Sequence, residues 1–598
     1  MKDYWANLET HTCGSILDGL SRPADYVDRM VSQGVHGLAI TDHGSLLMAV
    51  EMAEKCRDAG LDCIIGSEVY VEDGDRYSHL VLYVCDSLGW KNLLRLHYLA
   101  STNLGYARRP VLKWEWIEDH ADGLWASSNC IGSYVARPLF ATKMGIPDTP
   151  SEQEAMQYLS PSWREECGRR VAQLKSIFGK RLSLGCAIHG MGAQLVQLKL
   201  FRDLSKTYNV PLIAVSDAHY AHPEDAFAHE VLVTIGNKSS LAERREMKSA
   251  GKRVYWSNNR NYHLATRQEM ERRGYTKREL DNIRLVCEAC QFRLEPAAPR
   301  VPIIPGYSID RMAQQAKRSL REYLRSIEHV IDNEDDYWDR MERELRDAEQ
   351  HGIGPYIWLC AEAVKRLRKA GIYISARGSA AGSLLAFALD ITQVDPIANN
   401  LYWERFFNPD RMQLPDIDID VDGVNRQYAI QIVKDWIGVD LVAHLSTVGT
   451  FGLKAALRDV IKAMSPPKMS DKWSKIVSQC VPESTNVDSL QSVLENIPEG
   501  RKMLKECPKL TDVVSQLLGV IRFKGKHAAG LVIGHDDLRH LVPTIHSDGG
   551  LLVDVDLHAV EFFGLVKMDL LGLKQLSAVR HVSNVLEQCD ASEDTQAA

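Results

Sequence analysis

Apolar and polar positions alternate in two rhythms along this chain. In the first half, short β-rich runs ("GVHGLAITDH", "DCIIGSEVYV", "SHLVLYV", "DGLWASSNC", "VPLIAVSDAHY") are each followed by an amphipathic stretch such as "SLLMAVEMAEKCRDAG". Strand then helix, repeated, predicts an α/β barrel or a layered parallel sheet. "EPAAPRVPIIPGY" then carries Pro296, Pro299, Pro302 and Pro305. Neither a helix nor a central strand tolerates that density, so a domain boundary is predicted there. Beyond it come three helical patterns, "IDRMAQQAKRSLREYLRSIEHVI", "DDYWDRMERELRDAEQHG" and "YIWLCAEAVKRLRKAG". "GIYIS" then reads as a strand, "ARGSAAGS" as a turn and "LLAFALDI" as a helix. Residues 450–520 read as mostly helical. The end returns to strands ("LLVDVDLH", "GLVKMDL"), a helix and a small polar tail, "DASEDTQAA", expected to be flexible.

Composition narrows the class. At about 150 residues per domain, 598 residues predict roughly four domains. Hydrophobic residues are 45% and charged residues 25%, which excludes collagen-like and wholly disordered readings. No apolar run approaches the ~20 residues of a membrane helix. The start, "MKDYWANLETH", has no signal-peptide pattern. A net charge of −8 excludes a generally basic coat for nucleic acid but leaves room for a local basic groove. Thirteen scattered cysteines without a secretory signal point to a reducing compartment. The close pair Cys287 and Cys290 lacks a second pair at zinc-site spacing and reads as one face of a helix.

Four constellations carry chemistry. The first is a set at or near the ends of the N-terminal strands: Glu9, His11, Asp18, Asp42, His43, Glu68, His79, Cys130, Asp217 and His219. In an α/β barrel the C-terminal strand ends share one face, so these groups converge. Imidazole, carboxylate and thiolate together suit Zn²⁺, Mn²⁺ or Fe²⁺. The second is "LPDIDIDVDG". On a strand Asp416, Asp418 and Asp420 share one face while Ile417 and Ile419 bury the other. Three such carboxylates repel unless cations sit between them. A calcium loop would need a bidentate Glu at its twelfth position, which here is Ala429. A two-metal phosphoryl-transfer site is favoured. The third is "ISARGSAAGS", a strand, Gly/Ser turn and helix start whose N–H groups would face an anion beside Arg377. The fourth is "GLVKMDLLGL", with Lys567 and Asp569 on one face, and near it the basic "RFKGKHAAG", with Arg522, Lys524, Lys526 and His527.

At these residues the chain resembles the C-family replicative DNA polymerases, the alpha subunits of bacterial DNA polymerase III. "ARGSAAGS", "ERFFNPDRMQLPDIDID", "GTFGLKAALRDV", "GKHAAGLVI" and "GLVKMDLLGL" occur in that family's order. "HTCGSILDG", "AITDHGSL", "GSEVYV", "SHLVLYV" and "SDAHYAHPEDAFAHEVL" resemble its PHP (polymerase and histidinol phosphatase) domain.

The resemblance implies an α/β multidomain chain. A PHP-type distorted α/β barrel would span 1–292, with a Pro-rich linker over 293–305. A nucleotidyltransferase-like mixed-sheet palm would follow in two parts, 306–447 and 523–578. An inserted α-helical thumb would occupy 448–522, and 579–598 would be a helix end and flexible tail. The implied activity is DNA-directed DNA polymerisation. Asp416, Asp418 and Asp569 match the catalytic carboxylates and would hold two Mg²⁺, with Asp420 supporting. Arg377, Gly378, Ser379, Arg405 and Lys567 match positions expected to contact the incoming triphosphate. Lys454, Lys526 and His527 lie in motifs expected near DNA.

Glu9, His11, Asp18, His43, Glu68, His79, Cys130, Asp217 and His219 match PHP ligand positions, for Zn²⁺ or Mn²⁺. Complete PHP clusters act as 3′→5′ proofreading exonucleases. Two departures stand out. Glu9 replaces the usual first His, and Ala376 and Ala380 stand where Gly is common; the methyl at 380 is expected to tighten the phosphate approach. Family members continue into fingers, a clamp-binding region and an OB-fold. The expected partners are therefore primer–template DNA, dNTPs and a second polypeptide supplying fingers. Sliding-clamp and replisome contacts would run through that partner, and no membrane contact is expected. The implied location is the cytoplasm of a bacterial cell, or of an infected host if the chain is phage-encoded. Two other readings are a stand-alone PHP nuclease or phosphoesterase, and a non-catalytic protein binding DNA or replisome components.

Overall fold

The strand-then-helix rhythm of the first half builds one sheet. In a computed structural model, the described residues are 4–105, 109–140, 151–249, 261–327, 333–409, 414–465, 467–482 and 484–596. They fall into two units, Met1–Leu294 with Thr447–Gly525, and Glu295–Ser446 with Lys526–Ala598. No helix among them is long and apolar enough to cross a membrane.

Among the described residues, one sheet of the first unit has eight strands: β1 (Ala6–Thr10), β2 (Gly37–Ile40), β3 (Asp62–Asp73), β4 (Arg76–Val84), β5 (Val111–Leu112), β6 (Leu124–Ser128), β7 (Leu182–Ala187) and β8 (Leu212–Val215). Their order is β1-β2-β3-β4-β6-β7-β8, with β5 on β3. β1, β2, β6, β7 and β8 are buried at every position, as strands wrapped by helices on one side and a filled interior on the other must be. The sheet is nearly a closed barrel. Past the end of β8, Ala218 N donates to Glu9 O at 3.0 Å and His11 N donates to Ala218 O at 2.7 Å. The distortion comes from β4, which runs antiparallel to both β3 and β6.

The described residues of 447–525 supply five helices, Leu453–Met464, Pro467–Cys480, Val487–Glu495, Pro498–Glu506 and Leu510–Leu517. In sequence they interrupt the second unit, yet they group with the first. Leu453–Met464 and Leu510–Leu517 pack on the helix Ala226–Gly236. Nearby, Lys509 lies over Phe227 at 5.1 Å and Gln516 donates to Asp225 at 2.8 Å.

The second unit is built on β9 (Ile374–Arg377), β10 (Asp418–Asp422), β11 (Val442–Thr450), β12 (Ile521–Ile533), β13 (Thr544–Ser547), β14 (Gly550–Val553) and β15 (Val566–Leu573). β11 and β12 begin or end in residues of the first unit. The order is β13-β14-β11-β12-β15-β10-β9. β10 runs parallel to β15 and antiparallel to β9. Ile417, Ile419, Val421, Met568 and Leu570 are buried in the core. β10 begins at Asp418, so Asp416 precedes the strand, and Asp420 is buried along with Ile419 and Val421 rather than sharing an open face with Asp416 and Asp418. The helix Lys574–Gln596 takes in the stretch expected as a tail up to residue 596; the last two residues lie outside the described ones.

The glycine-rich segment departs from expectation. Gly378–Gly382 is a 3₁₀ turn, and the following helix, Leu384–Ala388, is only five residues. Its leading N–H groups do not face outward. Glu344, fully buried on the helix Asp335–Gln350, accepts from Leu384 N (3.0 Å), Leu385 N (2.9 Å) and Ser383 Oγ (2.9 Å). Arg340 Nε pairs with the same carboxylate at 2.6 Å. The side chain has taken the place of an external anion at this helix start. Ala380 is fully buried in the core, so its methyl does not crowd a phosphate.

Removing one member of a buried charged network leaves the other unpaired, at about 3–5 kcal/mol. Glu344→Ala is expected to destabilise this segment by that amount. Hydrogen exchange at residues 383–389 checks it; unchanged protection there would refute the role given to Glu344.

Candidate metal centres

The closing barrel strands bring all nine sequence-predicted PHP residues to one place. His11 follows β1, His43 follows β2, Cys130 follows β6, and Asp217 and His219 follow β8. Glu9 and Glu68 project from within β1 and β3. His79 differs: it comes from mid-β4, delivered because the β3–β4 hairpin pairs it with Tyr70. His11 Nε2 lies 3.2 Å from Glu68 and 3.3 Å from Asp217. His43 bridges Asp18 (3.2 Å) and Glu68 (3.3 Å) through its two nitrogens. His79 meets Glu68, and Cys130 Sγ lies 3.4 Å from His79 Nδ1. Three ligand groups emerge: Glu9–His11–Asp217, His11–His43–His219 and Glu68–His79–Cys130, each with donor atoms within 4.8 Å of one another. Asp42 is not among them. It accepts from Thr12 N, Thr12 Oγ1 and Ser15 Oγ at 2.6–2.7 Å and so shapes the turn after His11.

The electrostatics show what this donor set calls for. Burial, then the charges of Asp217 and Glu68, push the Glu9 carboxyl well up. Burial alone would lower the His11 imidazole, but Asp217 and Glu68 hold it well above its usual value. Burial also works against Asp18, yet His43 outweighs it and holds that carboxyl below the usual range. His219 is driven well down by burial and by His11. Four carboxylates, four imidazoles and a thiol, mostly buried, fit a cluster of divalent cations. Asp217 sits in the left-handed region (φ 49°), a conformation Asp tolerates better than most residues.

The second centre lies on β10 and β15. Asp418 and Asp569 are direct partners in the parallel register. Asp416, Asp418 and Asp569 place carboxylate oxygens within 4.8 Å of one another. Burial, then Asp416 and Asp569, raise the Asp418 carboxyl. Lys567 Nζ lies 2.7 Å from Asp569. An all-oxygen set of this kind fits hard divalent cations. Asp420 is not in the group. It pairs with Arg377 Nε at 3.2 Å, on the neighbouring strand β9.

The other predicted residues scatter more. Gly378 takes φ 75°, and a Cβ there would stand 3.5 Å from Asp418 Oδ2. Ser379 Oγ donates to Asp416 O at 2.9 Å, tying the turn to the Asp strand. Arg405 is exposed on the turn Trp403–Arg405. Lys526 is exposed on β12, while His527 Nδ1 accepts from Gly530 N (2.7 Å) and Ala529 N (3.1 Å), so that nitrogen serves its own strand. Lys454 belongs to the first unit. Sequence reasoning missed Glu344, although a Glu at an apolar position of the 337–341–344–345–348 stripe was its signal. It also missed His189, whose Nε2 contacts Ser216 O at 2.9 Å and braces the Asp217 loop.

Cation binding at the PHP centre must displace protons from His11 and Glu9, because both are held above their usual values. Mn²⁺ affinity is therefore expected to rise with pH, with protons released. Titration calorimetry in buffers of different ionisation enthalpy reads this. Binding with no proton release would contradict it.

Residues 7–184 match the PHP domain family, and residues 310–572 match the bacterial DNA polymerase III alpha NTPase domain family. DNA polymerase III subunit alpha of Aquifex aeolicus is 29% identical, over 98% of this chain and 52% of that protein. The Thermus aquaticus subunit is 28% identical with the same coverage, and that of Escherichia coli O157:H7 is 28% identical over 96% and 48%. The chain spans about half the length of the curated relatives it matches. One ligand cluster begins in the part that matches the PHP family and the other lies in the part that matches the NTPase domain family, and over nearly its whole length the chain is similar to the bacterial DNA polymerase III alpha subunits.

Proposed function

We propose that this chain is the palm-bearing part of a template-directed DNA polymerase, acting on primer–template DNA and dNTPs, with a 3′→5′ exonuclease in its PHP domain. The observation that carries the reading is the meeting of Asp416, Asp418 and Asp569 on adjacent strands, beside Lys567. These carboxylates would hold two Mg²⁺. Bound there, the pair lowers the pKa of a primer 3′-hydroxyl and neutralises charge on departing pyrophosphate.

The chain's own residues do the rest. Lys567 places a cation at the edge where a triphosphate would lie. Arg377, held through Nε by Asp420, offers its fork of donors to phosphate oxygens. Gly378 and Ser379 keep the turn close to the Asp strand. Lys454, Lys526 and Arg405 would serve DNA and nucleotide phosphates. The PHP cluster would hold Zn²⁺ or Mn²⁺ and remove mispaired 3′ nucleotides. A second polypeptide supplying fingers and clamp-binding parts is proposed as a partner. The cytoplasm, bacterial or of an infected host, is the proposed location.

Primer extension tests this with a 5′-labelled primer–template, dNTPs, Mg²⁺ and Mn²⁺, with and without a fingers-bearing partner. Asp569→Ala or Asp416→Ala is expected to cut extension by about 1,000-fold or more, several kcal/mol of lost transition-state stabilisation. His43→Ala should leave extension intact and abolish primer shortening. No extension under any condition, with shortening that survives Asp569→Ala, would favour the stand-alone PHP nuclease instead.

A second variant separates positioning from chemistry. Asp420→Asn loosens Arg377 without touching the metal carboxylates. It is expected to raise KM for dNTP severalfold with kcat nearly unchanged; a fall in kcat alone would place Asp420 among the ligands.

A further inference from the structure

Of the nine groups at the PHP centre, four are carboxylates and one is a thiol, and none is a fixed cation. A phosphodiester that approaches such a centre is itself an anion, so a permanent positive charge at the rim would be the missing part. Arg109 is placed to supply it. The strand that follows it, β5, pairs with β3 so that Val111 sits opposite Tyr70. Asn103 and Val111 exchange backbone and side-chain bonds (Val111 N to Asn103 O, 3.0 Å; Asn103 Nδ2 to Val111 O, 2.9 Å), and Gly105 N donates to Arg109 O at 2.9 Å. Pro110 lies against Gly44, the residue after His43: a Cβ on Gly44 would be 3.7 Å from both Pro110 Cγ and the Tyr70 ring. These contacts leave Arg109 little freedom of position. Its guanidinium lies 5.4 Å from the Tyr70 ring centroid. That ring is in turn 5.3 Å from His79 and 6.2 Å from His43. Arg109 is exposed, and the groups that act on its charge are Tyr70, Tyr77 and the Asp18 carboxylate.

We infer that Arg109 is the phosphate-gripping residue of the PHP centre, holding a non-bridging oxygen of a phosphodiester or phosphate against the cluster while Tyr70 supports its guanidinium plane. Arginine suits this role through its planar fork and its permanent charge. The inference rests on the metal-dependent phosphoester reading of the PHP domain given above.

The test uses the full chain carrying Asp416→Ala, Asp418→Ala and Asp569→Ala, so that bound Mn²⁺ reports the PHP centre. The probe is inorganic phosphate, read by Mn²⁺ broadening of its ³¹P resonance; Mn²⁺ affinity is followed separately by electron paramagnetic resonance. Arg109→Ala is expected to weaken phosphate at least tenfold while Mn²⁺ affinity stays within twofold. Arg109→Lys should recover part of the loss. Equal phosphate affinity in Arg109→Ala would overturn the inference alone. A parallel loss of Mn²⁺ affinity would also overturn it, showing that Arg109 only props the cluster through Tyr70. A parent protein that binds Mn²⁺ but brings no phosphate to it would overturn both the inference and the phosphoester reading beneath it.

Discussion

Asp418 and Asp569 stand opposite each other on parallel strands, and most of what the second unit does follows from their being unable to move apart. Two unit charges 4 Å apart at an effective dielectric of 20 repel by about 4 kcal/mol. Slipping the register by one residue would relieve that, but it would also turn every side chain to the other face. Ile417, Ile419, Met568 and Leu570 are fully buried on the opposite face. At about 1.5–3 kcal/mol each, their burial outweighs the repulsion. The apolar half of the strand thus holds the charged half in an unfavourable arrangement, which Lys567 relieves in part and divalent cations would relieve further.

The turn beside this site obeys the same logic from the other direction. A helix start with free N–H groups attracts an anion, and here the anion is built in as Glu344. The segment after Ser379 is therefore a fixed support rather than a phosphate cradle. What faces the Asp strand is the glycine at 378, in the left-handed region that glycine adopts without strain, and the Ser379 hydroxyl. Two cations flank the Asp strand, Arg377 and Lys567, one held by Asp420 and the other by Asp569.

How far the sequence could be read depended on the range of the interaction. The apolar face of β10 was legible because period-2 alternation is local. The PHP ligands were legible because parallel strand ends share a rim, although His79 reached it by way of an antiparallel hairpin that the strand-end rule does not describe. Glu344 was not legible as a cap, because its partners lie about 40 residues away and meet it only through packing. The grouping of residues 447–525 with the first unit was hidden for a similar reason. Helical periodicity announces that a face will be buried, not which neighbour will bury it; here the neighbour is the helix Ala226–Gly236.

The two centres also differ in the donors they offer, and the difference has a consequence for charge. The set on β10 and β15 is all oxygen, matched to small hard cations. The PHP set mixes oxygen, imidazole nitrogen and sulfur, matched to zinc-like or manganese-like ions. Glu9, where an imidazole would be neutral, gives that mixture a fourth carboxylate. Each added negative charge tightens the hold on cations but leaves less net positive charge facing an incoming phosphodiester. A centre altered in that way gains more from a permanent cation at its rim than a histidine-rich one would, and the backbone bonds around Asn103, Gly105 and Val111 set Arg109 where such a cation is needed.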